Sequence, residues 1–148
     1  MVVEFVPLDL THDWGWVHNH IGLIRTEDTR AILARDTDTH ERYGAVVMQN
    51  WSRTSCRAHM IILNPMILRR GFLEEAFAYI FTYLDRIKVF GHVRSDNFKA
   101  LKLNKHIGFT EVARLTDAYE PFVDDVIVEL HRDDCRFWKA GRLQANGR

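Results

Sequence analysis

The chain has 148 residues, of which 47% are hydrophobic, and its 20 Lys and Arg residues balance its 20 Asp and Glu residues. This length predicts one domain over residues 1–138, followed by a polar tail at 139–148. The zero net charge argues against nucleic acid as a partner, and no apolar run approaches the ~20 residues of a membrane span.

The two cysteines, Cys56 and Cys135, lie far apart in the sequence. Isolated cysteines in a chain of this size predict free thiols in a reducing compartment. The first ten residues contain Glu4 and Asp9 and lack the basic start of a signal peptide. We therefore expect a soluble, cytoplasmic protein.

The first part of the chain is rich in predicted strands. Alternation of apolar residues and flanking turn residues predict strands at 2–6, 29–36, 42–49 and 56–63. A short helix is predicted to begin near Trp14, with Thr11 or Asp13 as its cap. Four strands before the first strong helix predict an α+β architecture rather than a doubly wound one.

Three histidines lie close together around this first helix. A metal site built on them is conceivable by residue type, but no cysteine joins them and their spacing does not form a helical pair. We therefore predict no metal site. The three residues are His12, His18 and His20.

The middle of the chain predicts a strand, a basic turn and a long helix. Pro65 closes the strand, and Arg69, Arg70 and Gly71 form the turn. Apolar residues at helical spacing then predict a helix over 72–86. Backbone N–H groups at a helix start, with two arginines beside them, are typical of a site for phosphate groups.

A second strand and helix follow directly. Residues 88–93 predict a short strand, Ser95 predicts the N-cap of a helix that ends at Ile107, and Gly108 is its stop. Two final strands are predicted at 109–115 and 124–131. Residues 116–123 between them, with Asp117, Glu120 and Pro121, are predicted to be a loop.

Two of these segments resemble motifs of the GNAT N-acetyltransferase family. Residues 63–73, with Arg69-Arg70-Gly71, resemble its acetyl-CoA loop. The spacing of Asn97, Ala100 and residues 104–109 resembles its second motif. The resemblance implies a GNAT fold: a mixed, mostly antiparallel sheet of about seven strands with helices on both faces. Short GNAT-like proteins of tailed phages and bacteria are similar in length and motif style.

The resemblance also implies acetyl-CoA as co-substrate. In such a site the backbone of residues 61–63 pairs with pantetheine like an extra strand, in a gap between strands 56–63 and 88–93. Asn97 then lies near the reacting groups and serves as a catalytic as well as a cofactor-binding residue. The implied cofactor-binding residues are Ile61, Ile62, Leu63, Arg69, Arg70, Gly71, Phe72, Leu73, Asn97, Asn104 and Lys105.

The residues themselves suggest a proton acceptor. His59 lies two residues from Ile61 on the same strand face, and imidazole titrates near neutral pH. His59 is therefore the first candidate for a catalytic base, and His92 on the neighbouring strand is the second.

The resemblance and the candidate base together predict transfer of an acetyl group from acetyl-CoA to a primary amine. The acceptor is a protein N-terminus, a lysine or a small amine, and a homodimer is one possible assembly. The alternative is a GNAT-fold protein that has lost catalysis and serves as a binding or structural component, in the host cytoplasm or in a virion if a phage encodes it. Leu68, Leu73 and Asn104 favour that alternative, because the family usually has other residues at these positions.

Overall fold

The computed structural model describes residues 2–139. Seven strands form one sheet in the order β1-β2-β3-β4-β5-β7-β6. All neighbouring strands are antiparallel except β4 and β5, which are parallel. The strands are β1 (Val3–Pro7), β2 (Arg30–Asp36), β3 (Arg42–Gln49), β4 (Ser55–Ile62), β5 (Lys88–Arg94), β6 (Thr110–Glu120) and β7 (Val123–His131). The predicted α+β class and the strand number are confirmed.

Three helices cover the two faces of this sheet. They are α1 (Trp14–Ile21), α2 (Phe72–Ala78) and α3 (Phe98–Ile107). Val46 and Met48 of β3 pack with α2 and with Ile107 of α3. The alternate residues, Ala45 and Val47, pack on the opposite face with α1. Alternating side chains therefore build two cores, one on each face.

The long helix predicted at 72–86 is shorter in the structure. After α2 the chain widens into one π-helical segment, Tyr79–Tyr83, in which the Leu84 N–H donates to the Tyr79 carbonyl. Asp85 then takes a left-handed conformation with φ of 51° and ends the helix. Asp adopts this conformation more readily than most residues, so Asp85 marks the end of the helix. The apolar periodicity, which continues to Leu84, does not show this.

The cap of α3 also differs from the prediction. Asn97, not Ser95, caps the helix, because its side-chain oxygen accepts a hydrogen bond from the Ala100 N–H at 3.1 Å. The Ser95 hydroxyl instead accepts from the Asp124 N–H at 2.8 Å and ties the end of β5 to the start of β7. The predicted stop at Gly108 is confirmed: its N–H closes the helix on Asn104.

The predicted loop at 116–123 is mostly strand. β6 continues to Glu120, which pairs with Val123, so only Pro121 and Phe122 connect β6 to β7. Asp117 breaks the regularity of β6 with φ of 57°. All eleven residues of β6 are exposed at the edge of the sheet, so its sequence lacks the apolar alternation of a half-buried strand.

Three expectations drawn from composition concern the cysteines, membrane spans and the polar tail. Cys56 and Cys135 are free, as predicted, and both are buried. None of the helices within residues 2–139 has the length and apolar composition needed to cross a bilayer. The predicted polar tail lies outside the described residues, apart from Lys139.

Candidate active site

The central feature of the candidate site is a gap between β4 and β5. The two strands pair at only three positions, and Arg57 opposite Phe90 is the last of them. Beyond this point β4 stays paired with β3 and β5 stays paired with β7. The predicted splay between these strands is therefore confirmed. It opens well before Pro65, so the proline is not what ends the pairing.

Hydrogen bonding in the β3–β4 pair decides which backbone groups face this gap. The Leu63 N–H donates to the Tyr43 carbonyl, on the β3 side. In an antiparallel ladder, successive residues direct their N–H and C=O groups to opposite sides. Ile61 therefore faces β3 as Leu63 does, and Met60 and Ile62 face the gap. Of the three residues predicted to bind pantetheine through their backbone, only Ile62 directs its N–H and C=O groups into the gap.

The turn before α2 lies at the end of the same strand. Residues Pro65–Arg70 form a 3-10 helix, capped at its start by the Asn64 side chain. Gly71 ends it in a left-handed conformation with φ of 89° and leads directly into α2, which has no side-chain cap. An open groove of about 250 Å³ adjoins this turn, lined by Asn64, Pro65, Met66 and Arg69.

The charges at this turn are more balanced than the sequence suggests. Arg69 and Arg70 are exposed, but Glu74 and Glu75 occupy the first turn of α2. The two opposite pairs cancel in formal charge, so attraction of a phosphate depends on the helix N-terminus and on local geometry. Phe72 and Leu73 are fully buried and anchor the start of α2 in the core. The Leu73 side chain therefore leaves the outer side of the turn open.

A polar group of side chains occupies the face of the sheet beside the gap. Arg57 and His59 lie on β4, His92 on β5 and Asp125 on β7, all half-buried. His92 Nδ1 and Asp125 Oδ2 are 2.9 Å apart. In the tautomer with the proton on Nδ1, the Nδ1–H donates a hydrogen bond to the carboxylate, and Nε2 of His92 is left as a proton acceptor.

The structure brings a tyrosine to this group that the sequence did not indicate. Tyr119 of β6 lies under the Arg94 guanidinium, which is 5.5 Å from its ring centroid. Burial and the nearby charge of Asp125 raise the pKa of Tyr119, while Arg57 and Arg94 oppose that rise. Arg94 is held in place by Asp96 and Glu120. Tyr119 therefore borders the same polar face.

The residues of the second predicted motif lie on α3 or at its start. Asn97 is exposed and its side-chain oxygen caps α3, so its observed role is structural. Asn104 is buried and Lys105 is exposed in the last turn of α3. Around α1, His20 Nδ1 donates a hydrogen bond to the Trp16 carbonyl. Within residues 2–139 no group of three or more His, Cys, Asp or Glu residues is placed to hold a metal ion.

His59 is less basic than its residue type suggests. Burial, and then the nearby charges of Arg57 and His92, lower its pKa from 6.5 to about 4. Its Nε2 is buried and has no hydrogen-bond partner. The expectation that His59 titrates near neutral pH is therefore wrong, because packing of distant strands removes water from the ring.

This lowered pKa predicts a pH dependence of stability. As pH falls below 6.5 the unfolded chain gains a proton that folded His59 accepts only near pH 4. The free energy of unfolding should therefore fall by up to about 3 kcal/mol as pH drops through this window. His59→Gln cannot titrate and should lose this part of the dependence. Urea unfolding at pH 7 and pH 4.5 measures it.

The control for this experiment is His106→Gln on the exposed surface of α3, which should keep the wild-type pH dependence. An unchanged difference between the two pH values in His59→Gln would show that His59 is not protonated as described.

Comparison with solved structures identifies the fold. A spermidine/spermine N-acetyltransferase, SpeG, from Vibrio cholerae superposes with a TM-score of 0.70 at 19% identity, covering 87% of this chain and 92% of that one. A structure of mutant forms of the same SpeG gives a TM-score of 0.72 at 19% identity, covering 89% and 96%. A further SpeG mutant gives 0.72 at 17% identity, covering 94% and 98%. No family model and no curated protein matches the sequence. The chain thus has the GNAT fold, as the resemblance implied.

Proposed function

We propose that the protein transfers an acetyl group from acetyl-CoA to an amine. The observation that carries this proposal is the gap between β4 and β5, with the His92–Asp125 pair on one side and the turn before α2 at its end. The fold shared with N-acetyltransferases supports it.

The site has the parts that such a transfer needs. Acetyl-CoA supplies the acetyl group as a thioester; the C–S bond breaks as the amine nitrogen forms the new C–N bond. The backbone of Met60 and Ile62 offers hydrogen bonds along the gap, and Gly71 allows close approach to the start of α2. These groups fit the pantetheine and phosphate portions of the co-substrate. The released thiolate takes up a proton, so the overall transfer is balanced.

The amine must also lose a proton, and His92 is the better placed acceptor. Its Nδ1 is held by Asp125, which leaves Nε2 to receive the proton and stabilises the imidazolium that results. His59, with a pKa of about 4, holds a proton too weakly at neutral pH to do this well. We therefore assign the base to His92 and a polar lining role to His59.

Binding of acetyl-CoA tests the placement at the turn. Gly71→Glu places a carboxylate where a phosphate would approach. A Cβ at this position meets no atom within 4 Å, so the variant creates no steric clash in the free protein. We expect the variant to weaken acetyl-CoA binding at least about tenfold, measured by titration calorimetry, because one charge-assisted contact is replaced by repulsion.

The matched control is Gly22→Glu at the end of α1. Gly22 also has a positive φ, 62°, and a Cβ added there also meets no atom within 4 Å, so the variant carries comparable backbone strain and the same charge. It should bind acetyl-CoA as the wild type does. Equal losses in both variants would remove the turn from the site. Absence of binding by the wild type would favour the non-catalytic alternative.

A further inference from the structure

Three buried polar atoms without hydrogen-bond partners lie on the polar face beside the gap. They are Arg57 Nε, His59 Nε2 and Asp125 Oδ1, and they make up half of the six such side-chain atoms found within residues 2–139. Arg57 and His59 are two residues apart on β4 and so share a face. Asp125 reaches the same face through its contact with His92. Buried polar atoms in proteins are nearly always paired, so this cluster needs a partner.

Arg57 also differs from the other arginines around the cluster in its ion pairing. Arg94 pairs with Asp96 and Glu120, and Arg114 pairs with Glu111 and Asp124. Arg57 forms no ion pair with any carboxylate in residues 2–139. Its positive charge acts on both His59 and Tyr119 and lowers the pKa of each, which places the guanidinium beside the site.

The unpaired atoms are of complementary kinds. Arg57 Nε is a donor that suits an anion, and a guanidinium matches the two oxygens of a carboxylate. Asp125 Oδ1 is an acceptor that suits an amine N–H. β5 lies between the two strands, and Asp125 is four residues along β7 from Glu129, the residue level with Arg57 through Phe90. The two backbones are therefore roughly 16 Å apart, from two strand spacings across and four residues along, and a ligand fills the space that the Arg57 and Asp125 side chains leave between them.

We propose that the acetyl acceptor is an amino acid, whose carboxylate pairs with Arg57 while its amine lies at the His92–Asp125 pair. This inference rests on the proposed acetyl transfer and adds the class of acceptor. A polyamine carries only positive charges and no carboxylate, so Arg57 disfavours it here, whereas the SpeG proteins of the same fold are spermidine N-acetyltransferases.

The test compares free amino acids with their carboxamides. The two members of each pair have the same side chain and amine and differ in the negative charge. For the purified full chain with acetyl-CoA, we expect kcat/KM for the best amino acid to exceed that for its amide at least about tenfold. Arg57→Gln should bring the two values together by lowering the rate with the acid alone. Arg57→Lys, which keeps the charge, should retain part of the preference.

The control is Arg53→Gln, because Arg53 is exposed in the β3–β4 hairpin and lies outside the site. It should leave the acid-to-amide ratio unchanged. Wild-type transfer to spermidine or to amides with no preference for acids would overturn the inference and leave acetyl transfer standing. Equal losses on acid and amide in Arg57→Gln would also overturn it.

A separate readout covers the case in which no acceptor is acetylated, which contradicts the proposed function itself. Binding of the same acids and amides is then followed by calorimetry. Binding of an acid but not its amide, lost in Arg57→Gln, supports the carboxylate site independently of catalysis. No binding of any acid overturns it.

Discussion

Replacing His92 with Gln should lower kcat/KM for acetyl transfer by about 10²–10⁴-fold, the usual contribution of a positioned acid or base. The imidazole is held by Asp125 at 2.9 Å, and Gln offers no group that accepts a proton at neutral pH. Rates with a fixed acceptor, over a range of pH, measure the effect.

Asp125→Asn extends the same experiment. The amide cannot stabilise the imidazolium, and it leaves His92 free to adopt the other tautomer, so we expect a smaller loss in the same direction. His106→Gln, on α3, serves as the control and should keep the wild-type rate. A His92→Gln enzyme within about threefold of wild type, with folding intact, would rule out His92 as the base.

Replacing Gly108 with Ala should destabilise the protein by about 2–6 kcal/mol, because the strained backbone costs about 1–3 kcal/mol and overpacking about 1–3 kcal/mol more. Gly108 has φ of 127°, and a Cβ there would collide with the Asp134 carbonyl oxygen and lie 3.1 Å from the carbonyl carbon. The Arg136 N–H donates to the Ile107 carbonyl and holds this segment against α3, so it cannot move away without losing that bond.

Urea unfolding measures this change, and Gly15→Ala is its control. Gly15 lies within α1, and a Cβ there meets no atom within 4 Å. Ala is favoured over Gly by about 0.5–1 kcal/mol in a helix interior and by less in the first turn, where Gly15 lies, so this variant should be at least as stable as the wild type. A Gly108→Ala protein as stable as the wild type would mean that the end of α3 packs differently.

Local patterns in the sequence carry much of the fold. The alternation of residues 42–49 predicts β3 with its observed bounds, Arg42–Gln49. Gly108 marks the end of α3 because few other residues adopt its conformation. Both signals depend on neighbours along the chain. The prediction for β6 stops at Leu115, five residues before the observed end at Glu120, because a fully exposed edge strand has no buried face to impose alternation.

The polar face of the site could not be read in the same way. Arg57, His92 and Asp125 come from three different strands, and their meeting depends on the register of β5 with β7. The alternation of Val126, Val128 and Leu130 fixes the face of Asp125. A shift of two residues in the register keeps that face but moves Asp125 away from His92, and no local pattern excludes such a shift. The low basicity of His59 likewise results from burial by distant residues.

The exposed edge at β6 has a consequence for how the protein behaves among many copies of itself. An open edge strand is a template on which another chain can add, and Val112 and Leu115 would favour such growth. Charged side chains at Glu111 and Arg114 oppose it, and the left-handed Asp117 interrupts the straight run of backbone groups. The opposite edge, β1, has only five residues and ends in a proline. Both ends of the sheet are therefore built to resist the strand-by-strand stacking that leads to aggregation.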